Sequence, residues 1–422
     1  MNNATEVGEE SGLHPAPRAS LGQLARLFLK LGFTAFGGPA AHIAMMRAEA
    51  VQRHGWLSEQ EFMDLLGATN LIPGPNSTEL AIHIGFQQRG WTGMLVAGIC
   101  FIMPAALIVS GLAWAYTRYG RLPGVVNVLH AIKPVVIAVV VQAIAGLARS
   151  TVKNRTLALL GAAALAIALL GGDELLILFG GGTIYGIVRW RSPQPAGGTR
   201  PGARSLAILI GAALAMVLIP TLLLTLGGDT ASVGTDGANR SIPFGTSPLF
   251  LYFLKVGSVL YGSGYVLLAF LRDGLVHRWR WLTETQLLDA VAIGQVTPGP
   301  VFTTATFIGY MLGGPWGALV ATLGIFLPSF LFSALSGPLV PRLRRSPLTG
   351  AFLDGVNAAA LALMLAVTWQ LAHAALVDLP TIAIAITSAV LLIRFKVNSA
   401  WLLLGAAAVG LLLALLQQAP AI

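Results

Sequence analysis

Apolar residues run along this chain in long, nearly unbroken stretches, not in the alternating or one-faced patterns of a soluble fold. They occupy 21–46, 61–88, 91–116, 123–148, 155–171, 174–190 and 205–226. After a polar loop they resume at 249–270, 285–312, 314–336, 350–375, 378–393 and 398–417. A helix of about 20 apolar residues crosses the hydrocarbon core of a bilayer, so the pattern predicts an all-α polytopic membrane protein with about 13 transmembrane segments. Residues 1–20 are polar and proline-containing and read as a disordered tail without a cleavable signal peptide. The division predicted is a transmembrane domain over 21–226, an extracytoplasmic linker over 227–248 and a second transmembrane domain over 249–422.

Two of the stretches are broken in the same way, at Pro73-Gly74-Pro75 and at Pro298-Gly299-Pro300. Proline lacks the N–H that a continuous helix needs and disfavours helix at the residue before it, and glycine permits any hinge angle. Each break therefore predicts two half-helices meeting at a kink. The half-helix opening at Asn76, Ser77 and Thr78 would offer backbone N–H groups and capping side chains, and a helix N-terminus suits an anion. Thr303 and Thr304 follow the second break. Non-helical backbone survives at membrane depth where it is buried in protein or lines a wet cavity, and secondary transporters bind substrate at such discontinuous helices.

The chain is also duplicated. Residues 28–78 align without a gap on 253–303 and are identical at a third of the positions. Phe28/Phe253, Lys30/Lys255, Gly32/Gly257, Gly37/Gly262, Arg47/Arg272 and Arg53/Arg278 match, as do Trp56/Trp281, Glu59/Glu284, Asp64/Asp289 and Thr78/Thr303. With one residue removed the match continues through Gly85/Gly309, Gly93/Gly317 and Pro104/Pro328. An odd number of spans before the second copy turns it upside down, so the halves are expected to be inverted repeats around a midplane site. This count treats each broken segment as crossing once; the rival reading makes both re-entrant hairpins.

Composition narrows the chemistry. The chain of 422 residues is 55% hydrophobic and 10% charged, with mean hydropathy +0.76. Its net charge of +9 comes mostly from Lys and Arg in short loops, where they set topology, so it carries no nucleic-acid signal. Arg189, Arg191, Arg200 and Arg204 in one loop, and Arg342, Arg344 and Arg345 in another, call for the cytoplasm, with the N-terminus inside and the C-terminus outside. A single cysteine, Cys100, excludes an internal disulfide and a multi-cysteine metal site. No nucleotide-binding, hydrolase or metalloprotease motif is present, so neither enzyme, metal nor cofactor is expected, and a gradient or the membrane potential must drive any transport.

Several side chains are candidates for substrate or coupling roles. Lys30 and Lys255 lie near the glycine-rich turns, where an intramembrane cation faces an anion or snorkels to the interface. Lys133, just before Pro134, has Asn357 as its counterpart and could face an anion. Gly37-Gly38-Pro39 interrupts the first apolar stretch and could complete an anion nest, or serve close helix packing. Glu79 is the one carboxylate just after either break; it could exchange a proton, with His83 as a relay, or complete a cap. His42 and His130 read as structural.

The motifs Phe28-Leu-Lys-Leu-Gly32, Phe36-Gly37-Gly38-Pro39, Trp56-Leu57 and Pro73-Gly74-Pro75-Asn76, with the repeat at Phe253-Leu-Lys-Val-Gly257 and Thr297-Pro-Gly-Pro300, resemble the chromate ion transporter (CHR) family in its long-chain, two-domain form. The resemblance covers roughly 21–417 and implies a bacterial inner-membrane protein that exports chromate and confers chromate resistance, with sulfate as natural competitor. In the second copy Gly38-Pro39 becomes Ser263-Gly264 and Asn76-Ser77 becomes Val301-Phe302, so the halves are not expected to contribute equally. The alternatives are a transporter of sulfate or another oxyanion, an anion channel, and, least of all, a membrane enzyme acting on phosphorylated lipids. Partners beyond the oxyanion and the bilayer are confined to a homo-oligomer.

Overall fold

The computed structural model describes residues 18–36, 38–69, 72–120, 122–191, 211, 244–260, 266–344 and 347–418. Gly37, most of the N-terminal tail, the apolar stretch 205–226 and most of the linker 227–248 lie outside the described residues. Among the described residues there are helices and no strands. Four helices are long and apolar enough to cross a membrane, at Asn76–Tyr119, Gly124–Arg149, Val301–Leu335 and Pro347–Ala375, and shorter apolar ones lie at Arg155–Leu169, Leu379–Ile393 and Ser399–Leu412. Exposed Trp91, Leu95, Ile99, Met103 and Leu107 recur every fourth residue and form one bare apolar face. Trp316, Leu319, Leu323, Leu327, Leu331 and Leu335 make the matching face in the second half. An apolar face of that length suits lipid, and the protein is a polytopic helical membrane protein.

The first half opens with α1 (Leu21–Thr34), which Ser20 and Gln23 start with a reciprocal capping box. The chain turns at Ala35–Gly38, where Gly38 has φ of +75°. It comes back as α2 (Gly38–Arg47) and a π-helical turn at Ala48–Arg53. Lys30 on the outward arm meets Glu49 on the return at 2.7 Å, which fixes the arms as antiparallel. A second hairpin follows. α3 (Glu59–Thr69) leads to the PGP turn, and the first part of α4 (Asn76–Tyr119) leads away from it. Gln88, at the end of that return arm, accepts from the Ala19 N–H at 2.9 Å and donates to the Trp56 carbonyl at 2.9 Å. One amide side chain thus ties the feet of both hairpins together. At Arg89–Gly90 the backbone leaves helical geometry, Gly90 with φ of +57°, and the rest of α4 runs back alongside its own beginning.

This arrangement corrects the expectation that 21–46 and 61–88 each cross once. Both double back, 21–46 at Ala35–Gly38 and 61–88 at Pro73-Gly74-Pro75, because proline and glycine allow a reversal as readily as a kink. The second half repeats the plan with α8 (Thr246–Val259), α9 (Leu267–Leu271), a π-helical turn at Arg272–Arg278, and α10 (Glu284–Val296) before its PGP turn. A 3₁₀ turn at Val301–Thr303 starts α11 (Thr304–Arg344), which reverses at Gly313–Gly314. Across that reversal the hydroxyls of Thr306 and Thr322 meet at 2.7 Å. The ion pair Arg47–Glu59 at 2.7 Å recurs as Arg272–Glu284 at 2.6 Å.

The helices that follow are exchanged between the halves. α5 (Pro123–Thr151) packs on α13 (Leu379–Ile393) and α14 (Ser399–Gln418). Correspondingly, α12 (Pro347–Ala375) packs on α6 (Arg155–Leu169) and α7 (Glu174–Arg191). The hairpins are held by buried aromatic side chains, with Phe28, Phe62 and Phe101 in one half and Phe253, Phe302 and Phe307 in the other.

Candidate functional site

The turns at the tips of the hairpins meet across the halves. α1 and α8 both stop with an extended residue, Ala35 and Leu260, whose carbonyls point out of the helix. The Gly74 N–H donates to the Leu260 carbonyl at 2.7 Å, and the Gly299 N–H donates to the Ala35 carbonyl at 3.0 Å. Leu260 is the repeat counterpart of Ala35, and Gly299 of Gly74. The two bonds are therefore one interaction made twice, each PGP turn gripping the first hairpin of the other half. Glycine is needed on both counts. Gly74 has φ of +139° and Gly299 +89°, and a methyl on Gly299 would lie 2.7 Å from the Ala105 methyl.

This bonding changes the picture of bare amides at the breaks. The prolines have no N–H, and the glycine N–H of each triplet is engaged. Pro75 and Pro300 stand at the N-caps and give no side-chain cap. The Thr78 and Glu79 N–H groups close onto the Pro75 carbonyl at 2.8 and 3.0 Å. In the second half Thr303 and Thr304 turn their hydroxyls back to the carbonyls of Pro300 and Val301. The expected caps at Ser77 and Thr78 are thus not made. Ser77 instead meets His42 Nδ1 at 3.2 Å, and His42 Nε2 reaches the Ala35 carbonyl at 3.0 Å. His42 therefore couples the tip of one hairpin to the half-helix of the next, a role no local sequence signal carries, because its partner is remote in the chain.

Beside this junction lies a buried polar cluster. Both carboxylate oxygens of Glu79, Thr78 Oγ1 and Ser329 Oγ are buried and find no hydrogen-bond partner among the described residues. A methyl on Gly74 would strike Glu79 Oε1 and lie 2.9 Å from Ser329 Oγ, so both groups border the first PGP turn. An unpaired buried polar group costs free energy, about 1–3 kcal/mol and more when charged. Glu79 and Ser329 bring such oxygens together at this turn, so packing alone does not account for them. His83 is buried one turn further along the same half-helix.

The candidate lysines lie elsewhere. Lys30 is half exposed and paired to Glu49, near which Arg53 also lies at 3.3 Å. Lys255 is half-buried among Asp173, Glu174, Asp273 and Arg278. Lys133 makes an ion pair with Asp289 at 3.0 Å. Of the glycine-rich turn, Gly38 and Pro39 begin α2 beside the Ala35 tip. His130 meets Asp378 at 3.4 Å on the surface.

The family model described as Chromate transporter matches residues 22–187 and again 247–411. The chain belongs to the chromate transporter family. Relatives within it include a chromate transport protein of Cupriavidus metallidurans, 31% identical over 94% of this chain and 94% of that protein. A probable chromate transport protein of Synechococcus elongatus is 30% identical over 89% of this chain and 91% of its own length. A chromate transport protein of Pseudomonas aeruginosa is 31% identical over 88% and 86%. All three are named as transport proteins, and no solved structure matches the chain. The two matched blocks of the family each contain one pair of hairpins and one PGP turn.

Proposed function

We propose that this chain is a secondary transporter that exports chromate from the cytoplasm across a bacterial inner membrane and so confers chromate resistance. The observation that carries the reading is the pair of bonds by which each PGP turn grips the other half, with the unpaired oxygens of Glu79 and Ser329 beside the first turn. α1 and α3 are 14 and 11 residues long. At 1.5 Å per residue these arms reach about 21 and 16 Å, short of a hydrocarbon core of about 30 Å. The hairpins are therefore re-entrant, with tips near mid-depth.

The halves enter from opposite faces. In support, Tyr116, near the far end of α4, stacks edge-on against Phe307 at 5.3 Å and bonds Asp289, both on the second pair of hairpins. Two segments that double back leave the chain on the same face as two that cross, so the number of crossings before the second copy stays odd. Arg189, Arg191, Arg342 and Arg344 then share the cytoplasmic face with the N-terminus, and Arg47 and Arg53 join them.

The substrate site in this reading is formed by Pro73, Gly74, Pro75, Asn76, Ser77 and Thr78 from one half. Pro298, Gly299, Pro300, Thr303 and Thr304 come from the other, and Gly38 and Pro39, at the start of α2, lie alongside. Half-helix N-termini and hydroxyls supply the field for a tetrahedral dianion. Lys30 and Lys255 act from the arms as outlying cations that draw the anion in. Glu79, unpaired beside the site, repels the dianion when ionised and tolerates it when protonated, so a proton is bound and released with the anion in each cycle, with His83 as relay. Voltage alone also favours export. Moving two charges outward yields about 4.6 kcal/mol per 100 mV, or about three decades of gradient. Sulfate, of the same shape and charge, competes.

The test is uptake of labelled chromate into inverted vesicles and proteoliposomes under imposed voltage or pH gradient, with sulfate as competitor. Uptake that follows the voltage supports the reading. Flux indifferent to both gradients, or rising above about a million ions per second as through an open pore, would sink it.

A further inference from the structure

One buried interaction between the halves plays no part in the site described so far. Lys133, in the middle of α5, meets Asp289 Oδ1 at 3.0 Å, and the Tyr116 hydroxyl donates to Asp289 Oδ2 at 2.8 Å. The two charged side chains are 13% and 4% exposed, the most deeply buried ion pair among the described residues. Asp289 sits on α10, the arm that leads into the second PGP turn, whereas Lys133 and Tyr116 belong to the first half. Burying two charges costs several kcal/mol per ion before their attraction is counted, so such a pair is weak evidence for stability and better evidence for an arrangement that matters.

The duplication makes the arrangement one-sided. Asp289 has Asp64 as its counterpart, but Asn357 stands at the position equivalent to Lys133 and Val340 at that equivalent to Tyr116. When inverted halves exchange roles, the mirrored positions bring neither this lysine nor this tyrosine toward Asp64. The ion pair can therefore hold only one of the two end states.

An ammonium at ion-pair distance and a phenol donating a hydrogen bond converge on the carboxylate, the same recognition set that the negative oxygens of an oxyanion would meet. Building on the transporter reading, we propose that Asp289 is a tethered stand-in for the transported oxyanion. In this arrangement it occupies Lys133 and Tyr116 and closes the route on the face away from the N-terminus. The outgoing dianion opens that route by taking the place of Asp289 on the same two side chains. Lys133 and Tyr116 are then a second oxyanion subsite, used on exit and absent from the mirrored half.

The experiment uses the full chain with Asp289→Asn, Lys133→Gln, Tyr116→Phe and the exchanged pair Lys133→Asp with Asp289→Lys. Binding is read on purified protein by thermal shift with chromate, sulfate and molybdate, and transport by chromate flux in proteoliposomes. Asp289→Asn frees the subsite, and its half-saturating anion concentration should fall about tenfold, the scale of one charge-assisted hydrogen bond. Lys133→Gln and Tyr116→Phe should weaken binding by a similar factor. The exchanged pair should recover the melting temperature but not the anion affinity or the flux, because the cation now sits on the wrong element. Recovery of flux by the exchanged pair would reduce the contact to a structural tie and overturn the proposal. So would an unchanged anion affinity in Asp289→Asn. If the unaltered protein moves no oxyanion, the transporter reading fails, while the binding series still judges the subsite.

Discussion

Gly85 and Gly93 lie backbone against backbone, so that a methyl on either would collide with the carbonyl of the other. Their counterparts Gly309 and Gly317 meet in the same way. The two legs of α4, and of α11, can fold onto each other because neither glycine carries a side chain, the small-residue logic of close helix packing in lipid. Gly93→Ala and Gly317→Ala should each cost about 1–3 kcal/mol of overpacking and lower the melting temperature of purified protein. Gly90, whose missing Cβ would meet nothing within 4 Å, should report backbone strain alone when changed to alanine, with a smaller drop. Equal loss at Gly90 and Gly93 would contradict the packing account.

At the tips the expected effect is on transport before stability. Gly74→Ala and Gly299→Ala force a Cβ into left-handed backbone and push apart Glu79 or Ala105, loosening the bond each turn makes to the opposite half. Chromate flux should fall at least about tenfold, the value of roughly one hydrogen bond, with both variants still reaching the membrane. Normal flux in both would detach the turns from the site.

Replacing Glu79 by glutamine keeps the shape of the buried cluster and removes its charge. Voltage-driven chromate flux in proteoliposomes should persist, and flux driven by a pH gradient at zero voltage should disappear. Retention of the pH-driven component in Glu79→Gln would place coupling on another group.

The repeated ion pair gives a stability comparison within one molecule. Arg47 and Glu59 are both about half exposed, and such pairs contribute about 0–1 kcal/mol. Arg272 is more enclosed, also reaches Gln370, and meets the same Glu284 that His277 approaches at 3.6 Å. Arg272→Ala should lower the melting temperature clearly more than Arg47→Ala. A reversed order would mean that burial does not decide the strength of this contact.

Acid sensitivity should be traceable to Glu49. The hydrogen bond from Lys30, with Arg53 and His54 close by, holds its carboxyl below the ordinary range. A folded value below the unfolded one means the stabilisation is present above the unfolded value and is lost as pH falls through the folded one. Melting temperature recorded from neutral pH down to about pH 3, spanning the ordinary carboxylate range, should therefore fall less steeply for Glu49→Gln.

Much of this architecture is legible in the residues. The repeat, the PGP breaks, the reversal before Trp91 and the lack of a cationic counterpart to Lys133 all stand in the sequence. Direction is what hydropathy omits. A stretch such as 21–46 is long enough to cross, and nothing in its apolar content distinguishes crossing from doubling back at Ala35–Gly38. Side-chain partners across long separations are equally hidden. His42 carries no sign of Ser77, and Lys30 reads as an intramembrane cation until Glu49 is found beside it on the returning arm. Asp289 passes as one match in the repeat until Lys133 and Tyr116 converge on it from the other half.

The interlocked tips also constrain how the molecule is made. While the ribosome is still producing the later helices, the Gly74 N–H has no carbonyl to meet, since its acceptor, Leu260, belongs to the second half. An early-synthesised half must wait in the membrane with polar backbone unsatisfied, leaning on lipid headgroups, water or insertion machinery. Maturation is completed only when the late half arrives and closes both clasps at once.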